Sequence, residues 1–215
     1  MTLLREIQSL LERTYGRTGV NLEEFLLNRE RCGVLAGLAD TSAKQISDLG
    51  RVFLREVRGQ LRLGLYYDQS VIEALEADNP QYGINDNNVL PFMVFLEELD
   101  HAVHASLKFI EGRADIYTEH FVRDLELQAK VDTYLVLQMY VAFFNDTKQL
   151  TDADRRWLKA CVFDSESFAY EEPRLRDRYY ETNRLGRRYV GFLDRLSDRR
   201  RTAEIRRFQI GRAHV

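Results

Sequence analysis

Apolar residues open the chain at helical spacing: Leu3, Leu4, Ile7, Leu10 and Leu11 recur so as to line one face of a helix. Gly16 and Gly19 end that pattern. Asn21, three residues before Glu24, offers a capping box for a second helical run through Phe25, Leu26, Arg29, Val34, Leu35 and Leu38. Asp40, Thr41 and Ser42 read as a turn and a fresh cap. The next apolar set, Ile46, Leu49, Phe53, Leu54, Val57, Leu61 and Leu65, fits the broad face of one long helix. Within it, Gly50, Gly59 and Gly64 are weak points or places of close helix contact. The helical pattern resumes through Val71, Ile72 and Leu75.

Residues 79–88 are polar and rich in breakers, which predicts a loop. Pro91 suits the first turn of the helix that follows, and Gly112 suits its C-terminal stop. Phe92, Phe95, Leu96, Leu99, Val103, Leu107 and Ile110 form its apolar side. Asp115 is the expected cap of the longest unbroken helix, about 115–144, whose second half is apolar nearly all round and so belongs at the centre. A short helix carries Trp157, Leu158 and Val162; residues 164–173 form a connection; a final amphipathic helix begins near Arg174. The expected architecture is all-α: one domain over residues 1–215, a bundle of six or seven helices, with 195–215 as a basic tail.

Composition narrows the function classes. With 3 Pro and 12 Gly in 215 residues, the chain has too few breakers for a turn-rich all-β fold. A net charge of -3 argues against nucleic acid as the main partner, so the arginine-rich stretch 195–212 reads as a solvated tail or an interface arm. Cys32 and Cys161 form no C-x-x-C pair and read as reduced thiols. No run approaches the roughly 18 apolar residues of a membrane span, and the charged start Met1–Glu6 is unlike a signal peptide. The expectation is a cytoplasmic protein without a membrane partner, acting as a homo-oligomer or with a protein partner. Phosphate-loop, dinucleotide-binding, nucleophile-elbow and H-E-x-x-H motifs are absent from the sequence.

One stretch carries chemistry: Glu97-Glu98-Leu99-Asp100-His101-Ala102-Val103-His104. Glu97, His101 and His104 share a helix face, and Glu98 with His101 makes Glu-x-x-His. Imidazole and carboxylate together suit iron, manganese or, less well, zinc. Ligands from other segments are available: Glu56 before this helix, and Glu119, His120, Asp124, Glu126 and Asp132 after it. Glu126 and Asp132 have apolar neighbours, and a buried carboxylate demands a partner, either a metal or a cation such as Lys130. The alternative for the histidines is a solvated face, with Glu97–His101 and Asp100–His104 as surface i,i+4 pairs.

A Glu on one helix, Glu-x-x-His on the next and a carboxylate on a third resembles the ferritin-like di-iron and di-manganese carboxylate proteins. The resemblance spans roughly residues 43–144. It implies that Glu56 is the lone carboxylate of the first core helix, Glu98 and His101 the motif of the second, and Glu126 the lone carboxylate of the third. It also implies iron or manganese inside four long helices, with oxygen- or peroxide-related redox chemistry. The sequence departs from the family in having no second Glu-x-x-His; the histidine left for it is His214, near the C-terminus. Two readings follow: a metal-binding bundle of that kind, or a non-catalytic interaction or scaffold bundle acting as a homodimer or adaptor.

Overall fold

In the computed structural model, which describes residues 2–38, 49–113, 118–164 and 173–208, the chain forms a helical bundle with a small sheet laid against it. Among the described residues there are eight α-helices: α1 (Leu3–Tyr15), α2 (Arg29–Leu38), α3 (Gln69–Ala77), α4 (Val89–Ile110), α5 (Glu119–Phe144), α6 (Asp152–Asp164), α7 (Pro173–Leu193) and α8 (Asp198–Arg207). Three strands, β1 (Leu26–Leu27), β2 (Gly50–Val57) and β3 (Gln60–Tyr67), make a sheet of order β1-β3-β2. The bundle is therefore mostly helical but not all-α.

The sheet corrects the expected helix over 46–65. Residues 50–67 are an antiparallel hairpin in which Val57 pairs with Gln60, leaving Arg58 and Gly59 as a two-residue turn. Both turn residues have positive φ (53° and 74°), the conformation of the type I′ turn, whose twist matches that of the strands it joins. The apolar residues that suggested a helix also obey a period of two, with Leu61, Leu63 and Leu65 on one face of β3. Pairing across the turn and with β1, where Leu26 meets Leu65, decided between the two periods. Gly50 lets this sheet come close to α4: a Cβ there would lie 2.7 Å from Glu98 Cγ and 2.9 Å from Val94 Cγ1.

The long helices form where the periodicity places them. α4 begins beside Asn88, which is fully buried and spends its side-chain amide on the carbonyls of Asp78 and Gly83, closing the loop predicted over 79–88. α5 is capped by Thr118, whose hydroxyl accepts from the Phe121 N–H. The expected Asp115 cap lies outside the described residues, as do the Asp40–Ser42 turn, residues 165–172 of the expected connection and His214. Helices α4 and α5 run antiparallel, since Glu97 meets Lys130 while His101 meets Glu126. α5 and α7 run parallel: Arg178 reaches Glu119, and Asp194 reaches Tyr134.

Between them lies the core: Ile7 and Leu11 of α1, Phe92, Leu96, Leu99 and Val103 of α4, Tyr134 and Leu137 of α5, Leu158 and Val162 of α6, and Val190 of α7. Each such side chain contributes at most about 1.5–3 kcal/mol of burial. Their shared face fixes the rotation of α4 and α5, and with it which polar residues turn inward. The first part of the arginine-rich stretch is helix: α8 packs on the core through Ile205, and Phe208 stacks on Tyr189 with ring centroids 4.1 Å apart. Among the described residues, no helix is long and apolar enough to cross a membrane.

Candidate metal centre

Burying Leu99, Ala102 and Val103 turns Asp100 and His104, one helical turn apart on α4, into the interior. There they meet Asp132, delivered by the apolar half of α5. His104 is fully buried, and Asp100 and Asp132 are nearly so. His104 Nε2 lies 3.3 Å from Asp100 Oδ1 and 3.3 Å from Asp132 Oδ2. One donor atom from each of the three residues falls within 4.8 Å of the others, so the cluster can coordinate a metal ion.

The separations suit a cation. Ligand atoms about 2.1 Å from a first-row metal lie about 3.0 Å apart at octahedral cis positions and about 3.4 Å apart at tetrahedral ones. The two nitrogen–oxygen separations in the cluster are both 3.3 Å. Two ionised carboxylates and a neutral imidazole also match the charge of a divalent ion and the ligand taste of iron, manganese or zinc.

The surroundings orient Asp132 and leave Asp100 unserved. Tyr15, at the end of α1, donates its hydroxyl to Asp132 Oδ1 at 2.5 Å, and Gln128 Nε2 donates to Asp132 Oδ2 at 2.8 Å and to the Tyr15 oxygen at 3.2 Å. The Tyr15 ring packs edge-on against His104, centroids 4.7 Å apart. Asp100, by contrast, is buried with no hydrogen bond to either carboxyl oxygen; His104 Nε2 approaches Oδ1 to 3.3 Å as an ion pair. An ionised carboxylate in that position is costly without a cation. Burial raises the Asp100 carboxyl to about 6; the His104 charge opposes that rise and Asp132 adds to it. His104 moves the other way from a buried imidazole: burial lowers it, but Asp100 and Asp132 more than offset this and raise it to about 9. Without a metal, a proton on His104 would offset the charge of both carboxylates.

The residues singled out from the sequence divide. Glu98, His101 and Glu126 come together on the neighbouring face of α4 and α5: His101 Nδ1 is 3.7 Å from Glu98 Oε2, and Nε2 is 3.6 Å from Glu126 Oε2. The imidazole thus stands between two carboxylates, with one nitrogen toward each. Burial lowers its basicity, and Glu126 and Glu98 outweigh that and raise it to about 9. Tyr179 of α7 donates to Glu126 Oε1 at 3.3 Å. Glu56 is not brought to them. It is exposed on β2, not on a core helix, about 20 Å along the strand from Gly50, where β2 touches Glu98. Lys130 pairs with Glu97 at 2.7 Å rather than with Glu126.

Asp100 and Asp132 were the residues hardest to select. Asp100 reads as the surface partner of His104, and the i,i+4 pair does exist, but inside the bundle. Asp132 had a signal, since Val131, Thr133 and Tyr134 around it are all buried. Tyr15 and Gln128 had none: the Tyr15–Asp132 bond joins residues 117 positions apart. Compared with known proteins, the chain matches no family model, no curated protein and no solved structure.

Proposed function

We propose that this chain is a metal-binding helical bundle holding one divalent iron or manganese ion through Asp100, His104 and Asp132. The observation that carries the reading is the placement of His104 Nε2 at 3.3 Å from an oxygen of each buried aspartate, with Asp100 accepting no hydrogen bond. Three protein ligands leave coordination positions open, the arrangement of reactive rather than purely structural sites. Oxygen or peroxide would bind at such open positions, and redox chemistry of that kind completes the proposal. Tyr15 and Gln128 then serve to orient Asp132, and His101, held between Glu98 and Glu126, adds a second ionisable layer beside the ion.

The test is metal content of untagged protein by plasma mass spectrometry, alongside His104→Ala and Asp132→Asn. Iron or manganese at about one equivalent per chain, lost in both variants, is the expected result. Protein that neither retains nor takes up iron, manganese or zinc overturns the reading.

A second reading, an interaction bundle working as a homodimer or adaptor, is favoured by α2. Among the described residues this helix buries none of its own, and it exposes Val34 and Leu38. Light scattering of the wild type beside Leu38→Glu tests it: a dimer that becomes a monomer supports this reading, and a monomer in both removes homodimerisation.

A further inference from the structure

Asp132 has a second exposure. Besides closing the metal cluster, it lines a cavity of about 230 Å³ between α1, α5 and α8, whose walls are mainly Leu10, Leu135, Val136, Met139 and Ile205. Tyr15 and Asp132 lie at its inner end and Arg206 at its rim. The polar groups on the lining are largely committed. The Tyr15 proton goes to Asp132, the Thr14 proton to the Leu10 carbonyl and the Thr202 proton to the Asp198 carbonyl. Arg206 is the described side chain on the lining that has N–H groups left to give.

From this arrangement we propose that the cavity binds a small amphipathic carboxylate, an apolar chain ending in one anionic group. Hydrogen-bonding capacity sets its direction: Arg206 has donors for an anion at the rim, whereas the inner end presents the acceptor Asp132 and a Tyr15 proton already given to it. The apolar end of the chain therefore points toward Tyr15 and Asp132. The size is apt: a cavity of about 150 Å³ takes benzene, so this one accepts a chain of about eight to ten heavy atoms. Its binding does not depend on the metal reading, because no metal ligand other than Asp132 lines the cavity.

Hexanoate, 1-hexanol and hexylamine are the probes, titrated by ligand-observed NMR into metal-loaded and chelator-treated protein. Hexanoate is expected to bind saturably to both preparations, about tenfold more weakly in Arg206→Gln. Hexanol binding should be indifferent to that change, and hexylamine should bind least. Met139→Trp, at a side chain already 45% exposed, fills the cavity and should abolish hexanoate binding while the metal content stays at the wild-type level. Hexanoate that fails to saturate, or binds either variant as well as the wild type, overturns the proposal. Because metal content is read separately, loss of the carboxylate site with metal retained is distinct from failure of the metal centre itself.

Discussion

Tyr15 donates its hydroxyl to Asp132 Oδ1 at 2.5 Å, and this one bond ties the end of the first helix to a carboxylate at the centre of the bundle. Gln128 bonds both partners, so the three form a closed buried network. Burial and the negative charge of Asp132 both keep the Tyr15 phenol protonated, raising it well above its ordinary value. Tyr15→Phe leaves the Asp132 oxygen without its donor, which costs about 1–3 kcal/mol. Calorimetric melts should show that loss. Metal titration should show an affinity weaker by about 10–100-fold but not abolished, as for an orienting partner rather than a ligand.

Asp100→Asn separates stability from function. The side chain keeps its shape and loses a charge that burial disfavours, since the Asp100 carboxyl is raised to about 6. At pH 8 the metal-free variant should melt at or above the wild-type temperature, yet bind no metal. A variant that melts well below the wild type would show that the Asp100 charge is there to hold the fold.

The pH dependence of the metal-free protein has a definite sign. His101 and His104 are raised to about 9, above an unfolded value of about 6.5. Their stabilising contribution is complete below about 6.5 and disappears as the pH climbs through 9. Asp100, raised from 3.8 to about 6, also binds its proton more tightly when folded, so stability falls across that lower window as well. Melting temperature should therefore decline from pH 4 to pH 9 with the steepest part above 6.5. Saturating metal, which takes the place of the His104 proton, should flatten the upper part of the curve. Circular dichroism melts with and without metal measure both.

Asp194 offers a control remote from the metal. Nearly buried at the end of α7, it receives Tyr134 at 2.9 Å, Gln138 at 3.0 Å, Lys159 at 2.7 Å and Arg155 at 3.3 Å. Burial works against its charge, and these partners, Lys159 foremost, still hold the carboxyl below the usual range. Asp194→Ala leaves buried Tyr134 and Gln138 without their acceptor, while Lys159 and Arg155 keep access to solvent; it should cost about 1–3 kcal/mol in denaturant melts, with metal content per folded chain unchanged.

Glu56→Gln tests the hairpin's part. Exposed on β2, Glu56 should be replaceable with no change in metal content. Gly59→Val, at φ 74° in the turn, should destabilise by about 1–2 kcal/mol and leave metal binding intact in the folded protein.

The sequence by itself determined the helices whose pattern is long and continuous. α4 and α5 appear in the spacing of Phe92, Leu96, Leu99 and Val103 and in the apolar second half of residues 119–144, because a helix makes its hydrogen bonds within a few residues of itself. The chemistry-bearing stretch Glu97–His104 was visible for the same reason. Tertiary structure decided the rest. A period of three or four and a period of two both pass through Leu61 and Leu65, and only strand pairing, which joins distant backbone groups, chose the hairpin and carried Glu56 to an exposed edge. Likewise the rotation of α4, fixed by the apolar contacts of Leu99 and Val103 with α1 and α5, turned Asp100 and His104 inward to meet Asp132 and Tyr15. Those contacts join residues up to 117 positions apart, a distance over which local pattern carries no information.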